Sequence, residues 1–181
     1  MAIIGFGDIG AACGKLVKAF GTKVIGLKRR PDQVSEEDRA CADEIVGMDQ
    51  CDRVLKEADF VVGILPKTSE TTHFFNTEFF SKMKPSAIYM NIGRGPTCKE
   101  VDLIDALKTK KIAGAVLDVF EVEPLSKDSE LWQMKNVLMT PHCADIDSGY
   151  LDRAMQKFGD NLANFKSDTP LINICDKKAG Y

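Results

Sequence analysis

Short apolar runs alternate along this chain with longer stretches whose apolar residues return every three or four positions. The opening Met1-Ala2-Ile3-Ile4 run predicts a strand. Ile9, Cys13, Leu16, Val17 and Phe20 then recur at helical spacing until Gly21, which is placed as a C-cap glycine. Residues 22–27 predict a second strand, 31–43 are polar and charged, and 45–48 fit a short outer strand. Asp49 is placed to cap a short helix ending near residue 57. Phe60-Val61-Val62-Gly63-Ile64-Leu65 is apolar throughout, as a parallel strand covered on both faces requires, and Pro66 ends it.

The second half keeps the rhythm. A helix over 77–83 leads to a strand over 87–92, and Thr97 with Glu100 has capping-box spacing ahead of a helix to about residue 110. Further strands follow at 112–118 and 136–139. Strands alternating with helices throughout predict an α/β fold with a doubly wound parallel sheet. Leu151, Met155, Phe158, Leu162 and Phe165 put one apolar stripe on a last helix. That stripe either covers the sheet edge or docks on a part of the protein outside this chain. The chain thus divides into a nucleotide-binding domain over 1–149 and a C-terminal helix and tail over 150–181.

Composition narrows the class without naming it. The 181 residues, 44% hydrophobic and 28% charged, suit one well-buried soluble domain with a small appendage. A net charge of −3 gives no general pull toward nucleic acid or anionic membrane. No apolar run approaches the roughly 20 residues of a membrane helix, so neither nucleic acid nor membrane is an expected partner. The cysteines (13, 41, 51, 98, 143 and 175) are scattered with no CxxC pair. They predict no metal site and make a reducing, cytoplasmic setting the default.

The chemistry begins with Gly5-Phe6-Gly7-Asp8-Ile9-Gly10, a GxGxxG spacing between the first strand and the first helix. In a Rossmann-like unit Gly5 makes the tight turn, Gly7 lets a pyrophosphate approach the backbone, and Gly10 lets helix and strand pack closely. Phosphates then rest on the free N–H groups at the helix N-terminus. NAD sites place an acidic residue about 20 positions further on, to accept from the ribose hydroxyls. Here that place reads Leu27-Lys28-Arg29-Arg30. Three cations attract a 2′-phosphate where a carboxylate repels it. Two charge-assisted hydrogen bonds at about 1.5–3 kcal/mol each favour NADP(H) on the order of a hundredfold, less whatever solvent screens. NADP(H) is the expected cofactor and NAD(H) the alternative; a solvated basic turn is the plain reading of the same run.

Three side chains fall at carboxyl ends of strands, where open α/β sheets bind ligands: Arg94, Glu123 and His142. A nicotinamide redox site needs a proton donor, a group that fixes its protonation and a cation for the substrate, and these supply one of each. Each also has a plainer reading: His142 as a loop histidine, Arg94 in a surface ion pair, Glu121 instead of Glu123 as the carboxylate. His73, in Thr71-Thr72-His73-Phe74, has no comparable setting and reads as structural.

At these residues the chain resembles the NAD(P)-binding domain of the D-isomer-specific 2-hydroxyacid dehydrogenases, which include D-lactate, phosphoglycerate and glyoxylate/hydroxypyruvate enzymes. The resemblance rests on residues 5–10, Leu65-Pro66 with Thr71, Asn91-Ile92-Gly93-Arg94-Gly95, residues 112–125, Thr140-Pro141-His142 and Leu171-Ile172-Asn173. The spacings of 29 from Arg94 to Glu123 and 19 from Glu123 to His142 also match, and favour Glu123 over Glu121. The resemblance implies that His142 exchanges a proton with the substrate oxygen, Glu123 orients and charges it, and Arg94 binds the substrate carboxylate and carbonyl. It implies that Asp118 accepts from the nicotinamide carboxamide, that Asp8 and Ile9 hold the pyrophosphate, and that Leu65 and Pro66 flank the adenosine. Thr71, Ile92, Gly93 and Ala144 complete the cofactor's surroundings, and a homodimer is implied as well.

The chain departs from the pattern at Lys28-Arg29-Arg30, at Asp145, which adds negative charge near the nicotinamide, and at its start. Family members carry a substrate domain mostly ahead of the glycine motif, which here lies within the first ten residues. The expectation is therefore a substrate lobe outside this chain, toward which the stripe of the last helix would return. Two functions follow: an NADPH-dependent 2-ketoacid/D-2-hydroxyacid reductase, or a stand-alone NADP(H)-binding module without catalysis.

Overall fold

The computed structural model describes residues 1–144 and 146–177. Its centre is β1 (Ala2–Ile4), whose three residues are wholly buried because helices cover both faces of the sheet. Around it stand β2 (Ile25–Leu27), β3 (Glu44–Val46), β4 (Phe60–Gly63), β5 (Ile88–Asn91), β6 (Gly114–Leu117) and β7 (Val137–Met139). The sheet order is β3-β2-β1-β4-β5-β6-β7, every pair parallel. The order reverses between β1 and β4, which opens a crevice at their carboxyl ends.

Helices α1 (Asp8–Lys18), α2 (Glu36–Arg39), α3 (Cys51–Glu57), α4 (Thr77–Ser81) and α5 (Glu100–Lys108) connect the strands, and α6 (Tyr150–Lys166) follows β7. One core layer packs Val54 and Leu55 of α3, Phe79 and Phe80 of α4, and Leu103 and Leu107 of α5 on the sheet, with Phe75 and Tyr89 at its centre. The other, under α1, holds Ile3, Phe6, Ala11, Val24 and Ala42.

Several local expectations are corrected. The apolar positions Ile9, Leu16 and Phe20 are 62%, 68% and 87% exposed, while Gly10, Ala11 and Gly14 are buried. Small residues face inward because α1 lies close to β1 and to the turn after α2: a Cβ on Gly10 would stand 3.3 Å from Ile3 Cγ2, and one on Gly14 2.5 Å from the Cys41 carbonyl oxygen. Asp49 does not cap α3, because a 3-10 turn over Met48–Gln50 intervenes and makes Gln50 the N-cap residue. Thr97 and Glu100 form no capping box: Thr97 is buried in a 3-10 turn, its hydroxyl donating to the Arg94 carbonyl at 2.6 Å. No residue of α6 is buried, so its stripe does not cover the sheet edge. Asn161 of α6 instead exchanges two hydrogen bonds with the backbone of Ile172, holding the tail against the helix.

Candidate active site

The crevice between β1 and β4 is an open cleft of about 1040 Å³. Its floor is residues 5–10, one wall is Lys28, Arg29 and Arg30, the facing wall includes Leu65, Pro66, Glu70 and Thr71, and Ile92, Gly93 and Arg94 close the inner end. Gly5 has φ +101°, and a Cβ there would stand 2.5 Å from the Ile64 carbonyl oxygen, so glycine is required twice over. At Gly10 a Cβ would meet the Gly5 carbonyl oxygen at 2.7 Å. Gly7 differs: nothing lies within 4 Å of where its Cβ would be, and the helix it opens has no side-chain cap. Exposed Asp8 and Ile9 complete a first turn whose N–H groups face that open space, a cradle suited to a pyrophosphate.

Thr71 shapes the facing wall. Its hydroxyl donates to the Pro66 carbonyl at 2.5 Å and accepts from the Thr68 amide at 2.8 Å. Arg29 donates from Nη1 to Glu70 Oε2 at 3.1 Å, joining the two walls at the mouth. Sequence reasoning missed Glu70, because no local pattern marks a partner 41 positions away.

Outside the residues that line the cleft, Glu123 pairs with His142, its Oε2 lying 2.7 Å from Nδ1. Glu123 Oε1 accepts from the Phe120 amide at 2.9 Å, which fixes the carboxylate. A carboxylate only accepts, so Nδ1 carries the proton and Nε2 is left for chemistry. The Glu123 hydrogen bond and its charge raise the His142 pKa, opposed in part by desolvation and, less, by the charge of Arg94. The Arg94 guanidinium itself donates to the Gly93 carbonyl at 2.8 Å. Burial disfavours the Glu123 charge, but the bonds from His142 and Phe120 outweigh it and the pKa falls.

His142 sits at φ +51°, a left-handed conformation costly for a non-glycine residue. The buried Asp118 holds it there: Oδ1 accepts from Thr140 Oγ1 at 2.5 Å and Cys143 N at 2.9 Å, and Oδ2 from Ala144 N at 3.1 Å. Burial again opposes the charge, and these bonds outweigh it to lower the Asp118 pKa. Asp118 and Ala144 thus bind each other, and the anchoring role of Thr140 emerges only from the fold. Glu121 is engaged elsewhere, 2.5 Å from His73 Nε2 and accepting from the Glu100 amide at 2.8 Å, so it caps α5. Asp145 lies outside the described residues.

Residues 1–144 match the family described as D-isomer specific 2-hydroxyacid dehydrogenase, NAD binding domain. The chain belongs to this family. Its relatives include the glyoxylate/hydroxypyruvate reductase B of Shigella boydii, 44% identical over 146 residues, which span 78% of this chain and 43% of that protein. Among solved structures, the NADPH-dependent glyoxylate/hydroxypyruvate reductase of Sinorhizobium meliloti, in complex with NADP and sulfate, is 36% identical with a TM-score of 0.89. The match covers 99% of this chain and 56% of that one. A D-isomer specific 2-hydroxyacid dehydrogenase of Xanthobacter autotrophicus, bound to NADPH and MES, superposes with a TM-score of 0.90 at 35% identity, covering 100% and 72%. The chain spans about half the length of the curated relatives it matches. Among the described residues no helix is long and apolar enough to cross a membrane, and no group of three or more His, Cys, Asp or Glu is placed to hold a metal.

Proposed function

We propose that the chain is the cofactor-binding part of a reductase that interconverts 2-ketoacids and D-2-hydroxyacids with a preference for NADP(H). The observation that carries this reading is the Glu123–His142 pair, within electrostatic influence of the Arg94 that lines the inner end of a dinucleotide cleft. A bound nicotinamide supplies or accepts the hydride. His142 Nε2 donates a proton to the ketone oxygen in reduction and removes it from the alcohol in reverse. Glu123 keeps the imidazolium charged and oriented. Arg94 attracts the substrate carboxylate and polarises the carbonyl oxygen beside it. Residues 5–10 hold the pyrophosphate, and Lys28, Arg29 and Arg30 receive the 2′-phosphate. The NADP-bound relatives support the cofactor choice.

The test is NADPH oxidation by the 181-residue chain against a panel of 2-ketoacids including glyoxylate and hydroxypyruvate. Turnover abolished by His142→Ala supports the proposal, and turnover that survives the substitution contradicts it. NADPH binding without turnover contradicts catalysis by this chain alone and leaves a cofactor-binding part that needs its substrate lobe, or a binding module.

A further inference from the structure

Arg29 and Glu70 face each other from opposite walls of the cofactor cleft. Arg29 follows β2, Glu70 lies in the loop between β4 and α4, and their side chains meet at 3.1 Å across the mouth. Of the described residues that line the cleft only Asp8 and Glu70 are acidic, and Asp8 sits on the floor in the first turn of α1. Glu70 is therefore the carboxylate opposite the basic wall. We propose that Glu70 is a specificity-determining residue: it competes with the 2′-phosphate of NADP(H) for Arg29 and so sets how strongly the cleft discriminates NADP(H) from NAD(H). This rests on the cofactor reading above.

The pair is strong enough to matter and weak enough to open. Its side chains are 49% and 73% exposed, which places it among surface ion pairs that contribute little to stability. A phosphate dianion that accepts two parallel bonds from a guanidinium outcompetes one exposed carboxylate. A displaced Glu70 carboxylate stays within its own side chain's reach of Arg29, because the loop bearing it is tied by side chain and backbone. Thr71 N donates to Thr68 Oγ1 at 3.2 Å, Thr72 N to Thr68 O at 3.0 Å, and Thr71 Oγ1 to Pro66 O at 2.5 Å. A carboxylate held beside an incoming phosphate repels it. Both effects burden NADP(H) and leave NAD(H), with a hydroxyl in the phosphate's place, almost untouched.

The experiment measures dissociation constants for NADPH and NADH by fluorescence titration of the 181-residue chain, its Glu70→Gln variant, Arg29→Ala, and the double variant. Circular dichroism first checks that each is folded, as expected for exposed positions. Glu70→Gln is expected to raise the NADPH-over-NADH preference by about two- to fivefold, the range of one exposed ion pair, and to have no such effect in the Arg29→Ala background. A ratio that stays put or falls in Glu70→Gln, or that rises equally without Arg29, overturns the competition. The wild-type titration separates the two layers of inference: equal or tighter NADH binding there defeats the cofactor reading itself, and this proposal with it.

Discussion

Asp118→Asn tests whether the histidine loop is held as described. The wild-type carboxylate is 4% exposed and accepts three hydrogen bonds, from Thr140 Oγ1, Cys143 N and Ala144 N. An asparagine keeps one oxygen, best placed for Thr140 and Cys143, and turns its NH₂ toward the Ala144 N–H. One buried donor then lacks a partner, at about 1–3 kcal/mol, and two charge-assisted bonds become neutral ones, at about 1 kcal/mol each. Relief of the buried charge offsets part of this, leaving a loss of about 2–4 kcal/mol. Domains of this size melt about 2–4 °C lower per kcal/mol, so Tm should fall by roughly 4–16 °C. The pH dependence carries a sign. Asp118 has a lowered folded-state pKa, so its contribution is full above the unfolded value of about 3.9 and fades as pH falls through the folded one. Urea unfolding of both proteins at neutral pH and below pH 4 should show a gap that narrows in acid. A neutral-pH difference under about 0.5 kcal/mol, or a gap of constant size, would refute the anchoring.

Three further outcomes follow from the same geometry. His142 should titrate above its ordinary midpoint of 6.5, and Glu123→Gln should move it down, because the raising partner is gone; ring NMR signals of the two histidines, assigned with His73→Asn, read this directly. In the reductive direction kcat/KM should fall as pH rises through that midpoint, and the fall should begin at lower pH in Glu123→Gln. Gly95→Ala would place a Cβ 1.6 Å from the Phe120 carbonyl oxygen and force the Arg94 turn away from the Glu123 segment. It should cost about 3 kcal/mol in thermal unfolding, and an unchanged Tm would show that the segments do not touch. Glu121→Ala removes the acceptor for the Glu100 amide at the start of α5 and should cost about 1–2 kcal/mol in urea unfolding.

The strands were legible because parallel strands covered on both faces are continuous apolar runs: β1, β4 and β6 stand where residues 1–4, 60–65 and 112–118 predict them. The helix faces were less so. In α1 periodicity selects Ile9, Leu16 and Phe20, yet close approach to β1 and to the turn after α2 puts Gly10, Ala11 and Gly14 inward, which carry little hydrophobic signal. Capping failed for a related reason. Thr97 and Glu100 have the right spacing, but the acceptor at the start of α5 is Glu121, 21 residues further along and brought there by β6. The catalytic candidates were found through their motifs at strand ends, where topology converges. Glu70 and the roles of Thr140 and Asp118 depend on which loops meet, and no local pattern encodes that.

The most direct measurement is a fluorescence titration of the wild-type chain with NADPH and with NADH under identical buffer and salt. Three cations at the end of β2, facing a glycine cradle that is open at Gly7, predict that NADPH binds at least about tenfold more tightly, after solvent screening of two charge-assisted bonds. They also predict that raising the salt concentration shrinks the difference. Equal affinities, or tighter NADH, would contradict the account.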